Sequence, residues 1–243
     1  MTWRNRFRLL AGLAAVLVLV AGLTIVFNQR QARVASISAS IEAERYPVGI
    51  DYGGTVIDRF VDAGTRVHAG QDLFSLQSSS LQADLAEGLV KPDTVAYSVA
   101  ASGIITLKAS VDGTVTDLST ERGSFVQAGQ VLAMIDRAGS LFVSADYALT
   151  PRDYARVEDG AAVDILLPNQ RQVSGRIESI EVQTADGRAE TTVRVASDQL
   201  VDGDNNGLVA RGTPVTATLM LRDDGVLAGV GDGVSDFLRK IGL

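Results

Sequence analysis

Residues that could carry out catalysis or hold a metal are few in this sequence. The 243 residues include a single histidine, His68, and no cysteine. One histidine in a turn-like sequence does not make a serine–histidine–aspartate set, which needs a nucleophile, a base and an orienting carboxylate brought together. The absence of cysteine also removes thiol nucleophiles and disulfides. We therefore predict that the protein has no catalytic residues and is not an enzyme.

The stretch Asp202–Gly207, which reads DGDNNG, imitates the start of a calcium-binding loop. Such a loop places a bidentate glutamate at its twelfth position and a helix on each side. Here the twelfth position is Thr213, and no flanking helix is evident. We predict a solvated turn, and we expect neither a metal ion nor a cofactor.

The charge is unevenly distributed along the chain. The formal net charge is −7, yet residues 1–33 contain five arginines and no acidic residue, so the remainder carries −12. An acidic body is unsuited to the phosphate backbone of nucleic acids, which binds clustered lysine and arginine. The distribution argues against nucleic-acid binding.

A single apolar segment, Leu9–Phe27, runs for 19 residues without a charge. As a helix it is about 28 Å long, close to the thickness of a hydrocarbon core. A cleavable signal peptide is the alternative. However, the apolar run exceeds the usual length of about 7–15 residues, and Asn28–Gln31 offers no small-x-small cleavage site. We predict an uncleaved transmembrane helix at 9–27.

Positive charge predicts the orientation of this helix. Three arginines lie within residues 1–8, whereas two, Arg30 and Arg33, follow the helix. The excess on the N-terminal side favours a cytoplasmic location for residues 1–8. We therefore expect a single-pass protein of the cell membrane whose body is extracytoplasmic.

The sequence contains an internal repeat. Residues 54–76 and 113–135 align without a gap at an offset of 59 positions, and 10 of the 23 residue pairs are identical. The identical pairs are Gly54/Gly113, Thr55/Thr114, Val56/Val115, Asp58/Asp117, Gly64/Gly123, Val67/Val126, Ala69/Ala128, Gly70/Gly129, Gln71/Gln130 and Leu73/Leu132.

Each copy of the repeat is predicted to be half of one domain. One copy has too few strands to bury both faces of a sheet, but two copies related by a pseudo-twofold axis can close a small sandwich on each other. Among the shared glycines, Gly64 and Gly123 are expected to need a positive φ, which costs glycine little. The predicted fold-defining turn residues are Gly54, Gly64, Gly70, Gly113, Gly123 and Gly129.

The duplicated pattern of Gly-Thr-Val followed by spaced Gly, Val, Gly and Leu resembles the biotinyl/lipoyl half-motif. With an anchor before it and a β-rich segment after it, the chain resembles HlyD-type membrane fusion (periplasmic adaptor) proteins over about residues 35–222. The stretches 140–168, 173–182 and 211–221 carry the rest of the likeness. The resemblance implies a mainly β fold: a lipoyl-like barrel-sandwich hybrid domain at 28–139, then a small β-barrel domain at 140–222.

Two functions are known for this fold, and lysine placement distinguishes them. A carrier domain holds lipoate or biotin on a lysine at a tight hairpin just after the first half-motif, whereas an adaptor carries nothing and bridges transporter components. The sequence after Leu76 has no lysine there; Lys91 comes 15 residues later, and Lys108 lies on an apparent strand. The resemblance therefore implies an adaptor that binds no prosthetic group.

The segment between the two copies, Gln77–Asp112, has only 36 residues. Adaptors often carry a long coiled-coil hairpin at this place. Here one short helix is predicted, with Ser78–Ser80 as candidate caps and with Leu81 and Leu85 on one face. Because three or four turns cannot span a periplasm, we expect a compact accessory subunit or a single-membrane envelope.

The flanking segments are predicted to be mostly strands. Ser36–Glu44 alternates with a period of two, which indicates a strand that enters the sandwich. Thr150 and Pro151 occupy the N-cap and first position of a short helix. The predicted barrel strands are Leu141–Ala145, Ala162–Leu167, Val173–Val182, Glu190–Ala196 and Pro214–Leu221.

The tail, residues 223–243, has an apolar stripe at helical spacing. We predict an amphipathic C-terminal helix and consider three surfaces for it: the barrel, a partner protein and the membrane. The candidate docking residues are Leu227, Val230, Val234, Phe237 and Ile241.

Together these observations favour a membrane-anchored, extracytoplasmic adaptor subunit of an efflux or export complex that acts by binding and coupling. By family analogy its partner is a transporter of the ABC permease/ATPase type, and self-association into a homo-oligomer is a further expectation. The alternative is a structural scaffold that faces the cell envelope and uses the same fold.

Overall fold

The computed structural model describes residues 32–87, 97–100, 102–185 and 188–222, together with seven residues near the N-terminus. Those seven, which lie within the predicted anchor Leu9–Phe27, are all helical. The rest of the anchor, Lys91 and the tail at 223–243 lie outside the described residues. No helix in the described part of the chain is both long and apolar enough to cross a membrane.

The chain divides into two compact units, residues 42–141 and residues 1–41 with 142–243. The first unit contains nine strands and one helix among its described residues. In chain order these are β3 (Arg45–Gly49), β4 (Gly54–Arg59), β5 (Arg66–Val67), β6 (Asp72–Gln77), α1 (Ser79–Ala86), β7 (Tyr97–Val99), β8 (Ile104–Lys108), β9 (Gly113–Thr116), β10 (Phe125–Val126) and β11 (Val131–Arg137).

The first unit is a sandwich of two sheets with internal symmetry. One sheet has the order β10-β4-β6-β8-β7 and the other β5-β9-β11-β3. An offset of 59 residues places β3 on β8, β4 on β9, β5 on β10 and β6 on β11. Only β7 has no counterpart among the described strands of this unit. The repeat in the sequence is therefore a repeat in the structure.

The two halves complete each other by exchanging their short strands. The second half's β10 pairs with the first half's β4, and β5 pairs with β9 in the same register. The turn hydrogen bonds are also duplicated: Gly64 donates its N–H to the Val115 carbonyl and Gly123 donates to the Val56 carbonyl, both at 2.8 Å. The prediction that each copy is half of one domain is confirmed by this pairing.

The core of the sandwich follows the alternation of the repeat. Apolar residues at equivalent positions are at most 2% exposed because each strand presents every second side chain to the interior. Burial of one such side chain stabilises the fold by about 1.5–3 kcal/mol. The equivalent buried pairs are Val56/Val115, Val67/Val126, Leu73/Leu132 and Leu76/Ile135.

The shared glycines serve two different purposes. Gly64 and Gly123 have φ of +86° and +88°, so the expected left-handed turns are present. Gly54 and Gly113 were predicted to be turn residues, but each is instead the buried first residue of a strand. A Cβ added there would lie 2.5 Å from the Gln77 carbonyl oxygen at Gly54, with the equivalent backbone clash at Gly113.

The second unit is built on a seven-stranded antiparallel sheet with the order β1-β16-β13-β14-β15-β12-β2. Its elements are β1 (Arg33–Ala35), β2 (Ser38–Glu42), β12 (Phe142–Tyr147), α2 (Pro151–Tyr154), β13 (Ala162–Leu166), β14 (Gln172–Ala185), β15 (Arg188–Ala196), α3 (Asp204–Gly207) and β16 (Thr216–Met220). The expected strands of this unit are present, with ends that differ by up to a few residues.

One strand belongs to a different unit from the one predicted. The strand expected at Ser36–Glu44 to enter the sandwich is β2, which lies at the edge of the seven-stranded sheet beside β12. Its Ile41 donates to the Thr213 carbonyl at 3.0 Å, and Val215 donates to the Ala39 carbonyl at 2.9 Å. These bonds join the two ends of the sheet into a barrel. The barrel therefore includes residues that were predicted to lie in the 28–139 domain.

The helix after β12 forms as its sequence indicates. Thr150 is the N-cap of α2, and its Oγ1 accepts the Asp153 N–H at 3.2 Å. Pro151 occupies the first helical position, where a missing N–H costs nothing. The helix leads back to the barrel through the turn before β13.

Candidate interaction surfaces

The helix between the half-motifs begins at a buried serine. Ser78 is fully buried and is the N-cap of α1; its Oγ accepts the Leu81 N–H at 3.3 Å and donates to the Gly53 carbonyl at 2.7 Å. Ser80 Oγ lies 3.1 Å from the same oxygen. The cap therefore ties the start of α1 to the sandwich as well as ending the backbone of β6.

Leu81 and Leu85 attach this helix to the sandwich core. Leu81 is fully buried in the core cluster, and Leu85 packs against that cluster while partly exposed. Asp84, on the same helix, lies beside Tyr52; partial burial raises the pKa of the Tyr52 hydroxyl, and the hydrogen bond with Asp84 raises it further. The predicted short helix is confirmed, and it is held at the position where adaptors carry their long hairpin.

The place of a carrier lysine is occupied by other structure. The connection from β6 to β8 contains α1 and β7 instead of a tight hairpin. Lys108 lies at the end of β8, as predicted, and Lys91 lies outside the described residues. The described residues of this connection include no lysine that could take a prosthetic group.

His68 has no catalytic surroundings among the described residues. Its side chain is 88% exposed, and Nδ1 is 3.6 Å from Asp112, a carboxylate that also accepts the Ala69 N–H at 2.8 Å. The His68 N–H donates to Gln71 Oε1 at 3.1 Å, and at the equivalent place Gln127 donates to Gln130 Oε1 at 3.0 Å. The turn therefore forms in the same way with glutamine as with histidine.

The calcium-like stretch folds as a single helical turn, α3. Its Asn205 has a φ of +54°, and Oδ1 of this residue accepts a hydrogen bond from Arg171 Nη1 at 2.8 Å. An oxygen that a metal loop would use is therefore already bonded to an arginine. Within the described ranges, no group of three or more His, Asp or Glu side chains is arranged to hold a metal ion.

The outer faces of the two sheets differ, which the repeat in the sequence did not indicate. One lateral row across β5-β9-β11-β3 is Arg66–Thr114–Asp136–Arg45. The Arg45 and Asp136 side chains in it approach to 3.8 Å. The symmetry-equivalent row across β10-β4-β6-β8 is Phe125–Thr55–Gln77–Ile104. It is uncharged and begins with a phenylalanine that is 70% exposed.

At the barrel, the N-terminal strand and the last strand lie side by side. The Leu221 N–H donates to the Ala32 carbonyl at 2.8 Å. The next residue, Arg222, exchanges two hydrogen bonds with the buried Arg156: Nε of Arg156 donates to the Arg222 carbonyl at 2.8 Å, and the Arg222 N–H donates to the Arg156 carbonyl at 3.0 Å. The place where the tail begins is thus fixed beside the place where the chain enters the barrel.

The proposed docking residues come directly after this place. The stripe Leu227, Val230, Val234, Phe237 and Ile241 lies outside the described residues, so its contacts stay a prediction. The buried arginine that holds the preceding residue was missed in the sequence. Its only sequence signal is the short helix that contains Tyr154, two residues before it.

Solved structures of other proteins share this arrangement. ZneB from Cupriavidus metallidurans is 16% identical, with a TM-score of 0.56 over 78% of this chain and 98% of that one. A MacA–MexA chimeric protein containing the Pseudomonas aeruginosa MexA alpha-hairpin domain is 15% identical, with a TM-score of 0.57 over 79% and 83%. The membrane fusion protein Spr0693 from Streptococcus pneumoniae R6 is 17% identical, with a TM-score of 0.52 over 77% and 99%.

These likenesses define the class of fold. No protein-family model and no curated protein matches the sequence. The solved neighbours nevertheless cover both units of the chain, and at these identities the likeness shows the fold. The protein therefore has the mainly β fold of membrane fusion proteins, as the resemblance in its repeat predicted.

Proposed function

We propose that this chain is a membrane-anchored, extracytoplasmic adaptor subunit of an efflux or export transporter complex. It acts by binding and coupling rather than by catalysis. The observation that carries the proposal is the sandwich of two strand-exchanging half-motifs joined to a barrel, the fold of a membrane fusion protein. The connection that bears a carrier lysine in lipoyl domains here bears α1, which supports a binding role.

The chemistry of the described surface also supports binding. His68 stands exposed beside a carboxylate that a backbone N–H already engages, and the calcium-like turn uses its asparagine oxygen on an arginine. The partner we propose is a transporter of the ABC permease/ATPase type. We further propose that several copies of the chain assemble around it.

The proposed placement has the N-terminus in the cytoplasm, residues 9–27 in the membrane and the body outside. Protease added to intact spheroplasts should digest the chain beyond Asn28 and leave residues 1–27 attached to the membrane. A mature protein whose N-terminus lies near Ala35 or Ala39 would contradict the anchor.

The adaptor role is tested by isolating the full chain from native membranes in mild detergent and identifying co-purifying proteins by mass spectrometry. The matched control is an unrelated soluble domain fused to residues 1–31, which shares the anchor alone. We expect an integral membrane transporter to be enriched with the full chain and not with the control. Recovery of envelope polymers alone would favour the scaffold alternative, and an intact mass above that of the unmodified chain would favour a carrier.

A further inference from the structure

One end of the barrel collects four chain segments. Because neighbouring strands of the sheet are antiparallel, the start of β1, the end of β16, the β12–β13 connection and the β14–β15 hairpin all lie at the same end. The opposite end holds the turn between β13 and β14 and the long connection from β15 to β16. We call the first of these the anchor end, because the N-terminal segment joins the barrel there.

The anchor end is close to the membrane if the proposed anchor is correct. The predicted span ends at Phe27, and the described barrel begins at Ala32. Five residues extend at most about 18 Å. Since Leu221 is hydrogen-bonded to Ala32, the tail also starts within that distance of the bilayer. The tail is therefore positioned at the membrane before any property of its own is considered.

Apolar side chains are exposed at this same end. Tyr154 on α2 is 47% exposed, and Val182 on the β14–β15 hairpin is 49% exposed. Tyrosine is enriched where proteins meet the headgroup region, because its ring is apolar and its hydroxyl can stay hydrated. Both residues lie beyond the last row in which β13 covers β14, which ends at Arg176.

The tail has the composition of a segment that binds lipid through apolar contact. Residues 223–243 carry four aspartates against Arg239 and Lys240, so anionic headgroups would not attract the segment. Its apolar stripe is the remaining source of affinity. Resting on the proposed membrane anchor, we propose that the tail lies on the bilayer surface next to Tyr154 and Val182, and that the Arg156–Arg222 hydrogen bonds aim it there.

The chain contains no cysteine, so one introduced cysteine can carry an environment-sensitive fluorophore at a chosen position. Val234→Cys labels the apolar stripe, and Asp236→Cys is the matched control about 200° around a helix. Gln172→Cys labels the opposite end of the barrel. The full chain is reconstituted in phosphatidylcholine vesicles that contain lipids with brominated acyl chains, which quench only fluorophores that reach the acyl region.

We expect strong quenching at position 234, weaker quenching at 236 and none at 172. Adding Phe237→Asp and Ile241→Asp should abolish quenching at 234. Replacing part of the phosphatidylcholine by phosphatidylglycerol should not strengthen it. Such strengthening would contradict binding through the apolar stripe.

The other outcomes identify different occupants. A blue-shifted but unquenched label at 234 would place the tail against the barrel and overturn the proposal, and a fully hydrated label would overturn it too. Chains that float with the vesicles without quenching would refute only this inference. Chains that do not float would also refute the anchor on which it rests.

Discussion

The two half-motifs of the sandwich agree inside and differ outside. They share buried apolar positions, turn hydrogen bonds and exchanged short strands, although fewer than half of their aligned residues are identical. On the outer faces, the row that begins with Arg66 contains three charged residues, and its counterpart that begins with Phe125 contains none. Folding therefore requires the shared positions, and the differing outer faces are free to be specific for partners.

The halves differ again in the elements to which they lead. The first half-motif leads into α1, whereas the second leads directly into β12 of the barrel. Ser78, which caps α1, has Arg137 as its counterpart at the offset of 59. Arg137 forms an ion pair with Glu44 at 2.8 Å. The same structural position is thus a helix cap in one half and an exposed ion pair in the other.

The largest effect is expected where the symmetry depends on missing side chains. Gly54→Val and Gly113→Val should each destabilise the sandwich by about 3 kcal/mol, because the new Cβ meets backbone atoms that cannot move away. Urea denaturation measures both values. Gly49→Ala is the control, since its Cβ would meet the Gln130 carbonyl oxygen at an ordinary 3.5 Å. A large loss at one glycine with none at the other would break the equivalence.

A smaller and equal effect is expected at the turns. Gly64→Val and Gly123→Val should each cost about 2 kcal/mol, since both positions have φ close to +87° and open space around them. The cost is then backbone strain alone. The same denaturation experiment should give two values that agree within error. If one substitution were silent while the other unfolded the domain, the pseudo-symmetry would fail.

The helix cap tests the difference between the halves. Ser78→Ala should cost about 1 kcal/mol, because it removes the oxygen that accepts the Leu81 N–H. Amide hydrogen exchange should show the loss concentrated in α1. Ser79→Ala, at the exposed neighbouring position, is the control and should leave both stability and exchange unchanged. Equal effects of the two substitutions would remove the special role of the buried serine.

The smallest effect is expected where one half is converted into the other. His68→Gln copies the residue of the second half and should change the free energy of unfolding by less than about 0.5 kcal/mol, as an exposed substitution does. Any transporter-dependent activity should be unchanged as well. Loss of activity without loss of stability would show that the histidine has a function that its structural surroundings do not indicate.

The symmetric parts of the fold were predictable because they are local and duplicated. The ungapped repeat identified the strands, the positive φ at Gly64 and Gly123, and the mutual dependence of the halves. The pattern around Ser78 also indicated a cap and a helix, since capping is a property of adjacent residues. These features depend on short spacings that one sequence displays.

The features that were missed depend on contacts between distant residues. Alternation at Ser36–Glu44 indicated a strand, but its sheet is decided by partners near Thr213 and Val215. Burial of Arg156 depends on a backbone carbonyl 66 residues away, which no side-chain pattern reveals. The prediction of turns at Gly54 and Gly113 was wrong because glycine indicates both turns and close approach of backbones.

The central claim, that the protein couples to a transporter by binding it, is tested most directly by crosslinking in intact cells. A photo-crosslinking amino acid is introduced into the full chain at exposed residues of each unit, Phe125 and Tyr154. We predict a covalent adduct with an integral membrane transporter from at least one position, dependent on light. Adducts with envelope polymers alone, or none with a transporter from either position, would contradict the account.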